Sequence, residues 1–282
     1  MGFFTSGIYK TPDQLRKMIA PGLATHAGLV AARKHVVAGA TTLDIDAAAE
    51  AAIIAFGGQS NFKLVPGYRH TICASVNDEV VHGIPGGRVL EPGDIVSIDC
   101  GAILGGWNGD SAITVVVPDP RQPELVAERE QLSRITEGSL WAGIARLAVA
   151  KHLNEVGDAV QGYIEAEGAK VGHQYGILTD YIGHGIGRSM HEDPPVFNYR
   201  VKQRGPEVKP GLVVAIEPMV VIGNPDTHVL ADDWTVSTND GSGASHWEHT
   251  VAVHAGGIWV TTEPDGGAAG LKSFGVTPTP IA

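Results

Sequence analysis

The chain has 282 residues, 43% of them hydrophobic and 18% charged, a make-up that suits a folded globular protein and excludes a disordered one. It carries 31 Asp and Glu against 20 Lys and Arg, and this net charge of −11 disfavours a nucleic-acid or anionic-membrane partner, because phosphates would be repelled. Cys73 and Cys100 lack CxxC spacing, which excludes a disulfide scaffold or a cysteine zinc site, and with no signal peptide in Met1 to Lys10 and no bilayer-length apolar run, a soluble cytoplasmic protein is expected.

Thr11-Pro12-Asp13-Gln14 predicts a helix start, with Thr11 as N-cap, Pro12 in the first turn and Gln14 completing a capping box. Pro21-Gly22 should kink or interrupt this helix, which resumes through Val37 before Gly39. A second helix is expected from Asp44 to Phe56, closed by Gly57-Gly58. Short β-branched runs then predict strands at 71–76, 80–82, 95–100 and 113–117. Helix returns from Pro123 to about Gly168, with Asp158 capping its last piece, and strands resume at 212–216, 220–221, 247–253 and 258–261. Two blocks of helix followed by strand predict an α+β protein with antiparallel sheet and a hint of structural duplication. Residues 1–10 form a lead, 11–263 the main domain, and the Gly- and Pro-rich stretch 264–282 a loosely ordered tail.

The chemistry sits in the carboxylates. Alternation along Ile95–Cys100 puts Ile95, Ser97 and Asp99 on one face of a strand. Asp110 follows the turn material Gly105–Gly109, so a hairpin brings the two aspartates together. Glu217 closes the apolar strand 212–216, and Glu248 lies in the alternating strand 247–253, within His246-Trp247-Glu248-His249-Thr250-Val251. Carboxylates in apolar strands are costly to bury, and four together repel one another. Two divalent cations would balance them, and His184, within Gly183-His184-Gly185-Ile186-Gly187, would complete the donor set. Taken singly, Asp110 reads as a turn residue, Glu217 as a strand end facing water and His184 as a surface histidine. Taken jointly, they read as a dinuclear metal site.

Seven segments carry a family resemblance. Ser75 to Pro85, Gly93 to Asp99, Asn108-Gly109-Asp110-Ser111, Gly183 to Gly187, His191-Glu192-Asp193-Pro194, Ile216-Glu217-Pro218-Met219 and Glu248-His249-Thr250 resemble, in order, the motifs of the methionine aminopeptidases. The resemblance spans about Thr11 to Thr261. It implies the pita-bread fold, two halves around a pseudo-twofold axis with the metals between them. It also implies that 11–263 is a catalytic domain removing the initiator methionine from nascent proteins whose second residue is small. Asp99 would bind one metal, His184 and Glu217 the other, and Asp110 and Glu248 would bridge. Glu217 would also serve as general base, His191 would hydrogen-bond the scissile carbonyl, and His82 would contact the substrate near the scissile nitrogen. Phe62, Tyr68, Cys73, His82, Met190, His191 and Trp234 resemble the lining of the methionine pocket; read bottom-up, Cys73 and Trp234 are ordinary core residues. The implied partners are N-terminal peptides of nascent proteins at the ribosome, with a monomeric enzyme.

Four oxygen donors and one nitrogen favour manganese, iron(II) or cobalt, with zinc a further candidate. The short gap from Glu217 to Glu248 fits the type 1 enzymes, since type 2 members carry a helical insertion there. Met190 stands where many relatives have Phe, His246 stands where Gln is common, and the stretch before His184, including His173 to Tyr181, is longer than in compact relatives. An Xaa-Pro dipeptidase shares the ligand types but usually adds a large N-terminal domain. A metal-free binding module of the same fold would not need the intact ligand set. A zincin is disfavoured because His191-Glu192 leads into Pro194-Pro195, and no GxSxG elbow supports a serine hydrolase.

Overall fold

The first two helices open on the capping chemistry their sequences carry. Gln14 N–H donates to Thr11 Oγ1 while Thr11 N–H donates to the Gln14 side chain, and Thr41 and Asp44 repeat the arrangement at the second helix. In the computed structural model, which describes Gly7 to Ala282, these are α1 (Pro12–Lys34) and α2 (Thr42–Phe56). The lead's first residues, with the Met1-Gly2 start, lie outside the described residues. Five strands follow: β1 (Gln59–Ser60), β2 (Ile72–Val76), β3 (Glu79–Val81), β4 (Ile95–Leu104) and β5 (Trp107–Val116). A second helix pair, α3 (Pro123–Leu147) and α4 (Glu155–Val171), leads into β6 (Gly176–Ile177), β7 (Gly183–Gly185), β8 (Glu192–Val196), β9 (Val213–Ile216) and β10 (Met219–Val221). The chain ends through β11 (Thr227–Val229), β12 (Val236–Thr238), β13 (Ala244–His246), β14 (Glu248–His254), β15 (Gly257–Val260) and α5 (Ala268–Leu271).

Among the described residues, nine strands form the main sheet in the order β1-β4-β5-β14-β9-β7-β8, with β2 also on β4 and β15 also on β14, and every pairing is antiparallel. Two smaller sheets, β13-β10-β6 and β11-β12-β3, lie beside it. The α+β expectation holds, and so does the division into halves. Ile45, Ile53, Val96, Ile98 and Cys100 sit in a core shared by α1, α2 and β4, while Leu140, Ile144, Val160, Val214, Ile216 and Val251 join α3 and α4 to β9 and β14. The first core takes Val96, Ile98 and Cys100 of β4, and the second takes Val214 and Ile216 of β9 and Val251 of β14, so Asp99, Ala215 and Thr250 lie on the opposite face. Among the described residues no helix is long and apolar enough to cross a membrane.

Four local expectations need correction. Helix α1 runs unbroken through Pro21-Gly22. Gly22 is where the helix crosses the sheet: a Cβ there would stand 2.3 Å from Thr261 O, and one on Gly109 would stand 2.7 Å from Gly22 Cα. Backbone packing at that crossing holds the helix together despite the lost N–H of Pro21. A Gly→Ala change in a helix normally helps by up to about 1 kcal/mol. Here overpacking should reverse the sign, so Gly22→Ala is expected to destabilise by about 1–3 kcal/mol and lower the melting temperature by several degrees in calorimetry.

The β4–β5 turn is only Gly105-Gly106, both at positive φ (61° and 74°), and pairing restarts at Leu104↔Trp107. Two such glycines complete a tight hairpin turn by themselves, so Trp107 to Gly109 belong to β5 and not to turn material. Helix α4 begins at Glu155, with Asn154 at the N-cap position and Asp158 inside the first turn. Its start is fixed by the Glu155 carboxylate, which accepts from Lys151 and His152 N–H. The tail, read from composition as loose, packs closely: Leu271 is fully buried and Thr279 N–H donates to Ile258 O. Its glycines serve contact, since a Cβ on Gly270 would meet Trp141 at 2.1 Å.

Candidate metal centre

Register places the five predicted ligands on one face of the main sheet. Cys73 pairs with Asp99, Asp99 with Ala112, and Ala112 with Glu248, so these four residues form a row across β2, β4, β5 and β14. Residues opposite one another in an antiparallel pair share a face, and so do residues two apart along a strand. Asp110 therefore joins the row from two positions before Ala112. His184 pairs with Ala215, and Ala215 with Thr250, two positions beyond Glu248. Glu217 follows β9, two positions beyond Ala215. The small side chain of Ala112 leaves the space between Asp99 and Glu248 to their carboxylates. His184 lies in strand β7.

Donor atoms of His184, Glu217 and Glu248 lie within 4.8 Å of one another, as do those of Asp99, Asp110 and Glu248. His184 Nε2 stands 3.4 Å from Glu217 Oε1 and 4.0 Å from Asp110 Oδ2. Polar groups behind the ligands hold their main chain. Thr250 accepts from Asp110 N–H at 3.1 Å and donates to Asp110 O at 2.8 Å, Ser111 Oγ donates to Glu248 O at 2.6 Å, and Asn198 donates to Glu217 O at 3.0 Å. His184 Nδ1 is 2.9 Å from Gly185 O, and a carbonyl only accepts. Nδ1 therefore carries the proton, and the Nε2 lone pair points at the carboxylates, as a metal-binding imidazole requires.

The electrostatics of the bare cluster are unfavourable. Burial raises Asp99 to about 7. Asp110, Glu217 and Glu248 are pushed well above the carboxylate range, first by burial and then by neighbouring carboxylates. Asp99 Oδ1, Asp110 Oδ1 and Glu248 Oε1 are buried without a hydrogen-bond partner among the described residues. Buried acceptors of this kind want a donor or a cation. Burial, and then His191, lower His184 to about 4, so it is a neutral ligand at physiological pH. Oxygen-rich donors with orphaned acceptors fit two hard or borderline divalent ions.

A cavity of about 180 Å³ opens beside the cluster, with Phe62, Tyr68, Cys73, His82, Met190, His191 and Trp234 around it. All seven predicted pocket residues thus line one space with the five ligands. Val65 and Val81, which sequence reasoning missed, line it too; nothing distinguishes them from core valines in the sequence. Tyr68 donates to Ile72 O at 2.7 Å, lies 3.3 Å from Cys73 Sγ and packs on Trp234 at 5.1 Å between rings. Burial raises the Cys73 thiol, which argues against a nucleophilic role. His82 has φ of 62°, a strained value for a histidine, and rests edge-on against Tyr181. His191 meets the His184 ring edge-on at 4.4 Å, and desolvation lowers its pKa.

The hairpin turn that carries Met190 and His191 is anchored from a distance. Lys10 donates to Glu192 Oε2 at 2.9 Å with its side chain nearly buried, and Glu192 Oε1 accepts from Ser189 N–H at 3.0 Å. A lead residue therefore holds the wall of the site, a pairing that sequence separation hides.

Comparison with known proteins agrees with this geometry. The description of metallopeptidase family M24 matches residues 16–255. The chain is similar to methionine aminopeptidase 1 of Mycobacterium tuberculosis, 45% identical over 90% of this chain and 94% of that one. It is also similar to methionine aminopeptidase 1 of Bacillus subtilis, at 41% identity over 90% and 98% of the two chains. Among solved structures, methionine aminopeptidase of Thermotoga maritima superposes with a TM-score of 0.82 at 35% identity, covering 90% of this chain and 98% of that one. The prolidase of Pyrococcus furiosus, at 20% identity and a TM-score of 0.66 over 91% of this chain and 65% of its own, shares the fold alone.

Proposed function

The chain belongs to metallopeptidase family M24 and, within it, to the methionine aminopeptidases, and from that premise we propose that it removes N-terminal methionine from proteins whose second residue is small. The observation that carries this reading is a row of five donors on one sheet face, in two overlapping triads, beside an apolar cavity. Glu248 belongs to both of these triads and Asp110 also groups with His184 and His191, so Glu248 and Asp110 would be shared by two ions, with Asp99 holding one and His184 and Glu217 the other. When bound, two divalent ions supply Lewis acidity that lowers the pKa of water and polarises a carbonyl.

The side chains do the rest. The cavity walled by Phe62, Tyr68, Cys73, Met190 and Trp234 takes the thioether side chain, and the flexible Met190 adapts to it. Glu217, the ligand nearest His184, takes the proton of the attacking water and passes it to the leaving amine. His191, kept neutral by desolvation, donates to the carbonyl oxygen as charge develops there. His82 donates near the scissile nitrogen. The donor chemistry supports manganese, iron(II) or cobalt, with zinc as a competitor. Nascent chains at the ribosome are the substrates, and the enzyme acts as a cytoplasmic monomer, a reading that rests on the substrate class.

Hydrolysis of Met-Ala-Ser with manganese or cobalt, beside an Ala-Pro dipeptide, tests the assignment. Methionine release that is abolished by chelator is expected, with no cleavage of Ala-Pro. Absence of methionine release would refute the substrate, and full activity in excess chelator would refute the metal chemistry.

A further inference from the structure

His246 is 1% exposed, and its Nε2 has no hydrogen-bond partner among the described residues. Its backbone is pinned: the N–H donates to Ser97 Oγ and Thr114 Oγ1 at 3.1 and 3.0 Å, and its carbonyl accepts from Thr114 Oγ1 at 2.8 Å. With the main chain held this way, the imidazole is directed to Glu217, where Nε2 stands 3.7 Å from Oε2. The other oxygen of that carboxylate faces His184 Nε2 at 3.4 Å. The two oxygens of Glu217 are thus divided between two imidazoles. Asn198 fixes the Glu217 carbonyl but not the carboxylate, which leaves its rotation open.

We propose that His246 is the positioning residue of Glu217: its Nε2–H donates to Oε2 and turns Oε1 toward His184 and the metals. This inference rests on the reading of Glu217 as ligand and base. A space-filling role would leave the imidazole N–H buried without an acceptor, and a small closure of the 3.7 Å gap to Glu217 Oε2 supplies one. Groups behind a ligand commonly set its orientation, and their loss weakens metal affinity or activity about 10–100-fold.

His246→Leu removes the donor, and His246→Gln keeps an N–H of similar reach. Titration calorimetry of manganese into the metal-free protein is expected to show affinity about 10–100-fold weaker for His246→Leu and close to wild type for His246→Gln. On Met-Ala-Ser, kcat should fall in the leucine variant with KM little changed, and glutamine should restore it. ¹⁵N-histidine spectra of metal-free and zinc-loaded wild type, with the resonance assigned by its loss in His246→Gln, should show a proton on Nε2. If wild type takes up no metal, the dinuclear reading itself falls. If wild type binds metal and folded His246→Leu binds it equally well with unchanged kcat, only the positioning role falls. An unprotonated Nε2 overturns it as well, even if the leucine variant does not fold.

Discussion

Replacing Glu217 with glutamine is expected to lower kcat for Met-Ala-Ser by about a thousandfold, the middle of the range for removing a general base, while making the metal-free protein harder to unfold. The two effects have one cause. Glu217 is buried on a face it shares with Asp99, Asp110 and Glu248, and burial together with the Asp99 charge pushes its carboxyl well above its ordinary value. An amide of the same shape keeps the packing and removes one member of a mutually repelling set. It can neither accept the water proton nor offer an anionic oxygen to a metal, so the gain in melting temperature on adding manganese should shrink as well. Steady-state kinetics and calorimetry on the same preparations check both signs. Activity close to wild type would remove Glu217 from the base role, whereas a metal-free variant less stable than wild type would contradict the repulsion argument. Sites that bind cations commonly trade stability for function in this way.

The carboxylates were legible because a strand has only two faces. Alternation places Asp99 on the face of Ser97, and burying an acid there demands compensation, so Asp99, Asp110, Glu217 and Glu248 point to cations on sequence alone. Register then joined them through Ala112, a residue whose importance is its smallness, which no pattern of charge announces. Helix starts were equally legible, because Thr11-Gln14 and Thr41-Asp44 are local chemistry. What stayed hidden depends on partners far along the chain. Pro21-Gly22 reads as a break until Thr261 and Gly109 are seen against it. Lys10 reads as a lead residue until it reaches Glu192. The glycines of the tail read as looseness, although they let it lie on Trp141 and Trp259. Strands β7 and β8 are short and glycine- or proline-rich, so the pairing of β8 with β7 and of β7 with β9 is a tertiary decision rather than a propensity.

Removing the metal should make the protein's stability depend on pH in a specific direction. In an unfolded chain Asp99 releases its proton near 3.9, as any aspartate does. In the folded metal-free protein it holds the proton up to about 7. Between those values the folded state binds more protons than the unfolded one, so stability falls as pH rises through the window. Asp110, Glu217 and Glu248 act in the same sense, with values also raised well above the carboxylate range. Histidines oppose them: burial takes His184 to about 4 and His246 and His249 to about 3, so each favours the folded state above the ordinary value of about 6.5 and loses that contribution on acidification. His246 and His249 belong to both the metal-free and the loaded protein, so their terms cancel in the difference between the two. A ligating His184 must be neutral, so acid weakens the loaded form as well. The gap in melting temperature between manganese-loaded and metal-free protein should therefore be small near pH 5.5 and widen steadily to pH 8. With metal at about a thousand times its Kd the gap should reach about 4 kcal/mol, or on the order of 10 °C for a chain of this size. Calorimetry of dialysed protein with and without manganese across that range measures it directly. A gap that is flat, or that narrows as pH rises, would mean that the buried carboxylates are not where the ions bind.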